Sequence, residues 1–490
     1  MRGKRIWGGA VAGAFSLALI GQAQAVVPIT EVITDPYANP SSQHATAVEP
    51  DTFSWEATDT IVATTQIGRF FDGGASNTGF ATSDDGGATW TQGAMPSTTT
   101  YSTPTGPYDR LSDPSVAYDP EHDVWMISSL GINEVGGGIA VPRVIVNRST
   151  DGGLTWGSPV NIPAPRGGDL DKNWTVCDTH PASPFYGNCY TTFDDFAHGN
   201  RLYVSTSTDG GLTWARPRQT ANGAGGLGGQ PVVQPNGTVI IPANNAFQSQ
   251  IISFRSTDGG ATWSSTTVVA NVQDHFVRGN LRTSPLPSAE IDADGKVYVV
   301  WQDCRFRQNC RSNDIVMSTS AAGVNWSAVK RIPIDPLSSR VDHFIPGIAV
   351  DPATSGATGR LGLTYYFYDN TNCGSPRVGP CKLEVGFIES ADGGVTWSSH
   401  VDVAGPFPVS WTANTSQGRM VGDYISTSWL GGVAFGAFAV ATQQPQPFDE
   451  SIFVPTGGLR AHGGSRSSAG ERAVAAAEGG AGPAPRVRVP

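Results

Sequence analysis

Six cysteines fall as three close pairs, Cys177/Cys189, Cys304/Cys310 and Cys373/Cys381. Such pairs either close short loops as disulfides or hold a metal. A zinc site asks for C-x-x-C or for histidines at H-x-x-x-H spacing, and the chain has neither. Local pairing is the simplest reading, each bridge worth roughly 2–3 kcal/mol for loops this short. His275 in "QDHFVRG" and His343 in "VDHFIPG" share an Asp-His-Phe frame. It reads as a hydrogen bond between repeats, with a pocket role as the alternative. The Asp-Gly-Gly triplets lack the acidic series and distal Glu of a calcium loop. No G-x-S-x-G, H-E-x-x-H or phosphate-binding glycine loop is present. "NGAGGLGGQP" (222–231) has no Lys and no following helix, so it reads as a flexible surface loop. No metal and no organic cofactor is expected.

The elements that would position any site are announced by a repeat. "SDDGGATW" stands at 83–90, "STDGGLTW" at 149–156 and again at 207–214, "STDGGATW" at 256–263 and "SADGGVTW" at 390–397. "STSAAGVNW" at 318–326 is a degenerate copy without the Asp. Successive copies start 66, 58, 49, 62 and 72 residues apart. The Asp accepts hydrogen bonds from the following backbone, Gly supplies positive φ, and Ser and Thr add hydroxyl partners. Each octet is therefore a tight turn between strands, and its Trp is expected to pack between neighbouring repeats.

Around these turns run short strands bounded by Gly, Pro, Asn and Asp, such as "GKVYVVWQD" (295–303) and "GRLGLTYYFYD" (359–369), with no amphipathic helix. The pattern is all-β, and its length suits a propeller of four-stranded blades rather than one sandwich. Residues 1–25 read as a secretory signal: Arg2, Lys4 and Arg5, an apolar core at 6–20, and "AQA" at 23–25. Residues 26–50 read as a linker or lead-in strand, 51–456 as the propeller, and 457–490 as a disordered Gly/Ala/Arg-rich tail. No second segment approaches the length of a spanning helix. The expectation is a secreted monomer. Its formal charge, −11 for the whole chain, argues against nucleic acid as a partner.

The S-x-D-x-G-x-T-W boxes resemble the Asp-box repeats of bacterial sialidases and their relatives. "SDPSVAYD" (112–119), "DKNWTVCD" (171–178), "DHFIPGIAVD" (342–351) and "GRMVGDYIST" (418–427) are similar to a secreted, sialidase-like branch of those proteins. The resemblance covers roughly 51–445. It implies a six-bladed β-propeller with its boxes at the periphery, away from the site. It also implies a glycan carboxylate held by three arginines, whose guanidinium forks match it and keep their protons. A Tyr nucleophile assisted by a Glu, and a separate Asp as acid/base, complete the family's machinery.

Carried over residue by residue, Glu290 and Arg305 flank the strand in "SAEIDADGKVYVVWQDCR". Arg377 in "CGSPRVGPC" takes the place of the third arginine, with Arg419 as a rival. Tyr424 in "MVGDYISTSWLGG" takes the nucleophile's place. Arg69 stands for the first arginine, although the family's Arg-Ile-Pro is missing. Asp72, or Asp113 in "RLSDPS", stands for the acid. Read structurally, the same residues are turn aspartates, surface charges and a Tyr whose ring fills the last blade. Two functions follow: an exo-acting, retaining glycoside hydrolase on sialic acid or a similar acidic sugar, and a non-catalytic propeller binding glycan or protein at the cell surface. A propeller polysaccharide lyase is a third. Convergence of three guanidinium groups on one point discriminates the first.

Overall fold

A computed structural model describes residues 27–443 and 447–460. The signal-like segment and nearly all of the expected tail lie outside the described residues. Four-stranded antiparallel blades succeed one another along the chain, each running from an inner to an outer strand. The inner strands are Ala47–Trp55, Arg110–Asp119, Leu170–Cys177, Val232–Val233, Ser288–Ile291, Asp342–Val350 and Ser426–Leu430. Each touches the next and the last touches the first, closing a ring around an axial channel. Blades 1 and 2 share a single bridge, Ala75 to Leu111.

Six blades carry one box each, in the turn from the third to the fourth strand, as the repeat predicts. A seventh has no box. Its fourth strand, Ile29–Ile33, comes from the other end of the chain and pairs with Glu450–Pro455. No third-to-fourth turn exists there, so counting boxes finds six blades and the ring has seven. Leu459 is buried and bridges Ala434, so the chain stays on the propeller past 457.

The boxes close as their residue types dictate. In "STDGGLTW", the Ser149 hydroxyl donates to Asp151 at 2.7 Å and accepts from the Gly153 amide at 2.9 Å, while Asp151 accepts from the Thr155 amide at 2.9 Å. The copy without Asp closes through Ser320, which accepts from Gly323 and donates to the Asn325 carbonyl. The second glycine wedges against the preceding blade: a Cβ at Gly153, where φ is +84, would meet Val62 at 2.9 Å. Trp156 packs on Phe80 and Trp263 on Phe254 and Tyr190, filling the grooves between blades.

All three local disulfides form, Cys177–Cys189, Cys304–Cys310 and Cys373–Cys381. They fit an extracellular protein. No described helix is long and apolar enough to cross a membrane. The glycine-rich stretch at 222–231 is not a surface loop. Gly226–Leu227 pairs with the second strand of blade 4, and Gly229 and Gln230 are buried at the channel. Glycine is needed there because a Cβ at Gly226 would lie 2.4 Å from the Asn244 carbonyl oxygen.

Candidate functional site

The boxes mark a lower face. On the upper face, where the inner strands begin, four of those strands carry a β-bulge. Register shifts fall between Val48 and Asp51, Ser112 and Ser115, Asp171 and Trp174, and Phe344 and Gly347. At each bulge an L-residue adopts a left-handed backbone: Glu49 (φ 60), Asp113 (φ 47), Lys172 (φ 49) and Ile345 (φ 49). Such conformations cost of order 1–3 kcal/mol each and gather at functional sites. The bulge turns each side chain toward the axis, and three of the four are charged.

They meet there. Lys172 Nζ lies 2.5 Å from Asp423, 3.3 Å from Asp113 and 3.9 Å from Glu49. Arg282 pairs with the same Asp423 oxygen. Gln66 donates to Glu49 and accepts from Arg69 at 2.7 Å. Arg282 is set in place by the hairpin Ala413–Thr415/Gly418–Met420: its amide donates to the Arg419 carbonyl, and the Arg419 amide to that of Asn280, both at 2.7 Å. Burial alone would push every charge here toward neutrality. It raises Glu49, helped by Asp113. In Asp423 it is outweighed by Arg282 and Lys172, which hold that carboxyl well below the usual range. In Lys172 it is outweighed by Asp113, Asp423 and Glu49, so the ammonium keeps its proton. Asp423 Oδ1, Asn173 Oδ1 and Arg69 Nε are buried with no hydrogen-bond partner among the described residues, and Asp113 Oδ2 meets the Lys172 ammonium at 3.3 Å.

One layer deeper, Trp174 and Tyr424 meet across the axis, and below them lies a cavity of about 220 Å3 touched by all seven inner strands.

The structure brings Arg69, Asp113 and Tyr424 into or beside this cluster and leaves the other candidates apart. Tyr424 is buried, and its hydroxyl donates to the Pro114 carbonyl at 3.1 Å. Glu290 does not reach it; Glu290 lines the lower cavity, pushed up to about 8 by burial and by Asp51. Asp72 sits half-exposed on Arg110 at 2.5 Å, and Arg110 also holds Glu134. Arg305 is folded onto Asp303 at 2.7 and 2.9 Å. Arg377 is exposed on the Cys373–Cys381 loop. Arg419 donates to the Thr412 carbonyl at 2.8 Å. The three guanidinium groups of a sialidase, as assigned from the sequence, do not converge. Residue-by-residue carry-over missed Lys172, Arg282, Glu49 and Asp423. Lys172 and Asp423 lie in segments that stood out in the sequence, "DKNWTVCD" and "GRMVGDYIST". Glu49-Pro50 and Asp113-Pro114 mark two bulges by the same charged-residue-proline step.

His275 spans neighbouring segments, with Nδ1 2.9 Å from the Cys310 carbonyl and Nε2 3.0 Å from Thr371. His343 is buried and held neutral, its pKa lowered to about 3 chiefly by burial. Asp314, Asp335 and His343 bring ligand atoms within 4.8 Å of one another. Arg307 already pairs with both carboxylates and Arg331 joins them, so guanidinium groups fill the role a cation would take.

Fold and boxes together define an Asp-box β-propeller. Residues 190–346 match the BNR repeat-like domain family. The chain is 30% identical over 208 residues to a xyloglucanase of Paenibacillus sp, covering 39% of this chain and 18% of that protein. It is 33% identical over 156 residues to a sialidase of Micromonospora viridifaciens, covering 24% of this chain and 23% of that protein. The chain thus spans about a fifth of the length of these curated relatives, both glycoside hydrolases. Among solved structures it is similar to the NanB sialidase from Streptococcus pneumoniae, at 13% identity and a TM-score of 0.42, over 87% of this chain and 70% of that one. Residues 190–346 are thus BNR-repeat-like in sequence, and the same octet stands on either side of that stretch, at 83–90, 149–156 and 390–397.

Proposed function

We propose that the protein is a glycan-binding propeller whose upper face receives an acidic carbohydrate. One observation carries the reading. Every strongly exposed Phe among the described residues, Phe71, Phe196, Phe247, Phe276 and Phe306, stands on an upper-face loop, and Phe247 is 88% exposed. Three exposed arginines that enter no ion pair among the described residues, Arg278, Arg340 and Arg377, stand on upper-face loops, while Arg216 and Arg218, also exposed and unpaired, follow the box at 207–214. Flat rings stack against sugar faces, and guanidinium forks take carboxylate or sulfate groups. The glycoside-hydrolase relatives support carbohydrate as the ligand class. The test is binding of polygalacturonate and of a sialylated glycan, beside a neutral glucan, by the parent and by Phe247→Ala/Phe276→Ala and Arg377→Ala variants. Binding of the acidic chains that falls about tenfold in the variants at unchanged melting temperature supports the reading; equal binding by parent and variants removes it.

The second reading is the exo-acting, retaining hydrolase. It is favoured by the gathering of Tyr424, Asp113 and Arg69 around Lys172, with Glu49 pushed up and Asp423 held down. Carboxyls driven apart in this way are how acid and base roles are divided. Turnover of a methylumbelliferyl sialoside, lost in Tyr424→Phe and in Asp113→Asn, is its signature. No turnover by the folded parent leaves the binding reading alone.

A further inference from the structure

The cavity beneath Trp174 and Tyr424 has a chemistry opposite to that of the upper face. Trp55, Trp174 and Trp429 line it, with four carboxyl groups: Asp51, Glu56, Glu290 and Asp292. No Lys or Arg lines it. At about 220 Å3 it falls below the roughly 300–1,000 Å3 of drug-sized sites, which leaves room for one small molecule. Its lower rim is formed by the segments that follow the inner strands, with Glu56, His180, Asp292 and Pro352.

Three of the four carboxyls have structural work. Asp51 accepts from the Thr52 and Val116 amides at 2.8 Å, tying blade 1 to blade 2. Asp292 accepts from the Lys296 amide and the Tyr298 hydroxyl. Glu56 accepts from the Gly431 amide at the rim. Glu290 has no cationic partner among the described residues, and it faces Asp51 inside the cavity.

We propose that the lower channel is a binding site for a small organic ammonium ion, the amine of an amino sugar or a free alkylamine, with Glu290 as its counter-ion and tryptophan rings around it. Ammonium groups are held by indole faces and by carboxylates together. The site is distinct from the upper-face glycan reading and stands or falls without it.

Burial raises Asp51 to about 7, and burial with Asp51 raises Glu290 to about 8. Glu290 therefore carries its proton near neutrality, and Asp51 is about half ionised there. An arriving ammonium favours the Glu290 carboxylate and expels its proton. The titratable groups facing it are Asp51 from blade 1, Asp292 and Glu56 from the rim loops, and His180, which lies 3.4 Å from Asp178. Binding should therefore tighten as pH rises from 6 to 8.

The test is titration calorimetry of the whole protein with glucosamine, choline, glucose and glucuronate, in two buffers of different ionisation enthalpy. Glucosamine or choline should bind with proton release, and glucuronate should not bind. Which of the two amines binds more tightly separates an amino-sugar source from a simple alkylamine. In Glu290→Gln, isosteric and uncharged, amine affinity should fall about tenfold or more, as for loss of a charge-assisted bond. Binding of glucose as tight as that of the amines, or amine binding unchanged in Glu290→Gln, would overturn the proposal. Should Glu290→Gln fold poorly, the proton count in the parent decides: amine binding without proton release also overturns it.

Discussion

Trp174 and Tyr424 belong to blades 3 and 7, yet their rings meet edge to face across the axis, with centroids 5.0 Å apart. The pair divides the channel. Above it lie the Lys172 cluster and the upper face; below it lies the carboxyl-lined cavity. Because Tyr424 leans on blade 3 with its ring and on blade 2 with its hydroxyl, it acts as a strut across the ring, alongside the Lys172 ion pairs that cross it one layer above.

Tyr424→Phe keeps the ring contact and removes the hydroxyl, leaving the Pro114 carbonyl without that donor. The expected loss is about 1–2 kcal/mol of unfolding free energy, the usual cost of one buried hydrogen bond and a partly orphaned acceptor. Trp174→Ala leaves that hydroxyl in place, removes the partner ring and should cost about 3–5 kcal/mol. Urea denaturation of both variants measures the difference. Equal losses would show that the ring contact carries no weight.

The pH dependence of stability follows from the channel acids. Asp51 and Glu290 ionise near 4 when unfolded and near 7 and 8 when folded. The folded state therefore binds more protons across that window. Their contribution is fully present below about pH 4 and drains away as pH rises through 7 to 8, at up to about 1.4 kcal/mol per unit for each group. Asp423 runs the other way, contributing above its unfolded pKa and losing it as the medium acidifies below about pH 4. The melting temperature should peak between roughly pH 4 and 6. Glu290→Gln should flatten the decline toward pH 8 and leave the acid limb unchanged. A parent whose melting temperature keeps climbing to pH 8 would contradict the assignment.

A box aspartate is exposed, but its bonds are geometric. Asp151 accepts from Ser149 and from the Leu154 and Thr155 amides, and it also holds the Thr155 hydroxyl. Asp151→Ala should cost about 1–2 kcal/mol. Gly153→Ala should cost more, because it strains a left-handed backbone and drives a methyl into Val62 of the preceding blade. Calorimetric melting of the two variants checks that order.

How much of this was readable in the chain depends on what each residue has to satisfy. A box must make the same turn in every blade, so its letters repeat and the blades could be counted where boxes exist. The blade closed by Ile29–Ile33 needs no such turn and left no octet. The disulfides are local, and their spacing sufficed. The axial cluster is different. Glu49, Asp113, Lys172, Arg282 and Asp423 come from five places along the chain, and no two share a turn. Each satisfies a partner that only ring closure brings near. What the sequence does show of them is the bulge step, Glu-Pro and Asp-Pro at the start of two inner strands and Lys-Asn at a third. Arg305 misled because its neighbour Asp303, two residues away, claims it.

The cluster itself yields the sharpest energetic prediction. Lys172 stands among Asp423, Asp113 and Glu49, all buried, and its removal leaves two ionised carboxylates facing each other with Arg282 as the nearer cation. Breaking a buried ion pair by deleting one partner costs about 3–5 kcal/mol, more than the pair itself contributes, because the remaining charge is stranded. Lys172→Met should therefore destabilise the fold by that amount. Lys172→Met combined with Asp423→Asn should recover part of the loss, since the second change removes a stranded charge. A double-mutant cycle in urea measures the coupling. If the two losses simply add, Lys172 and Asp423 are not energetically joined, and the axial cluster is a set of independent charges rather than one network.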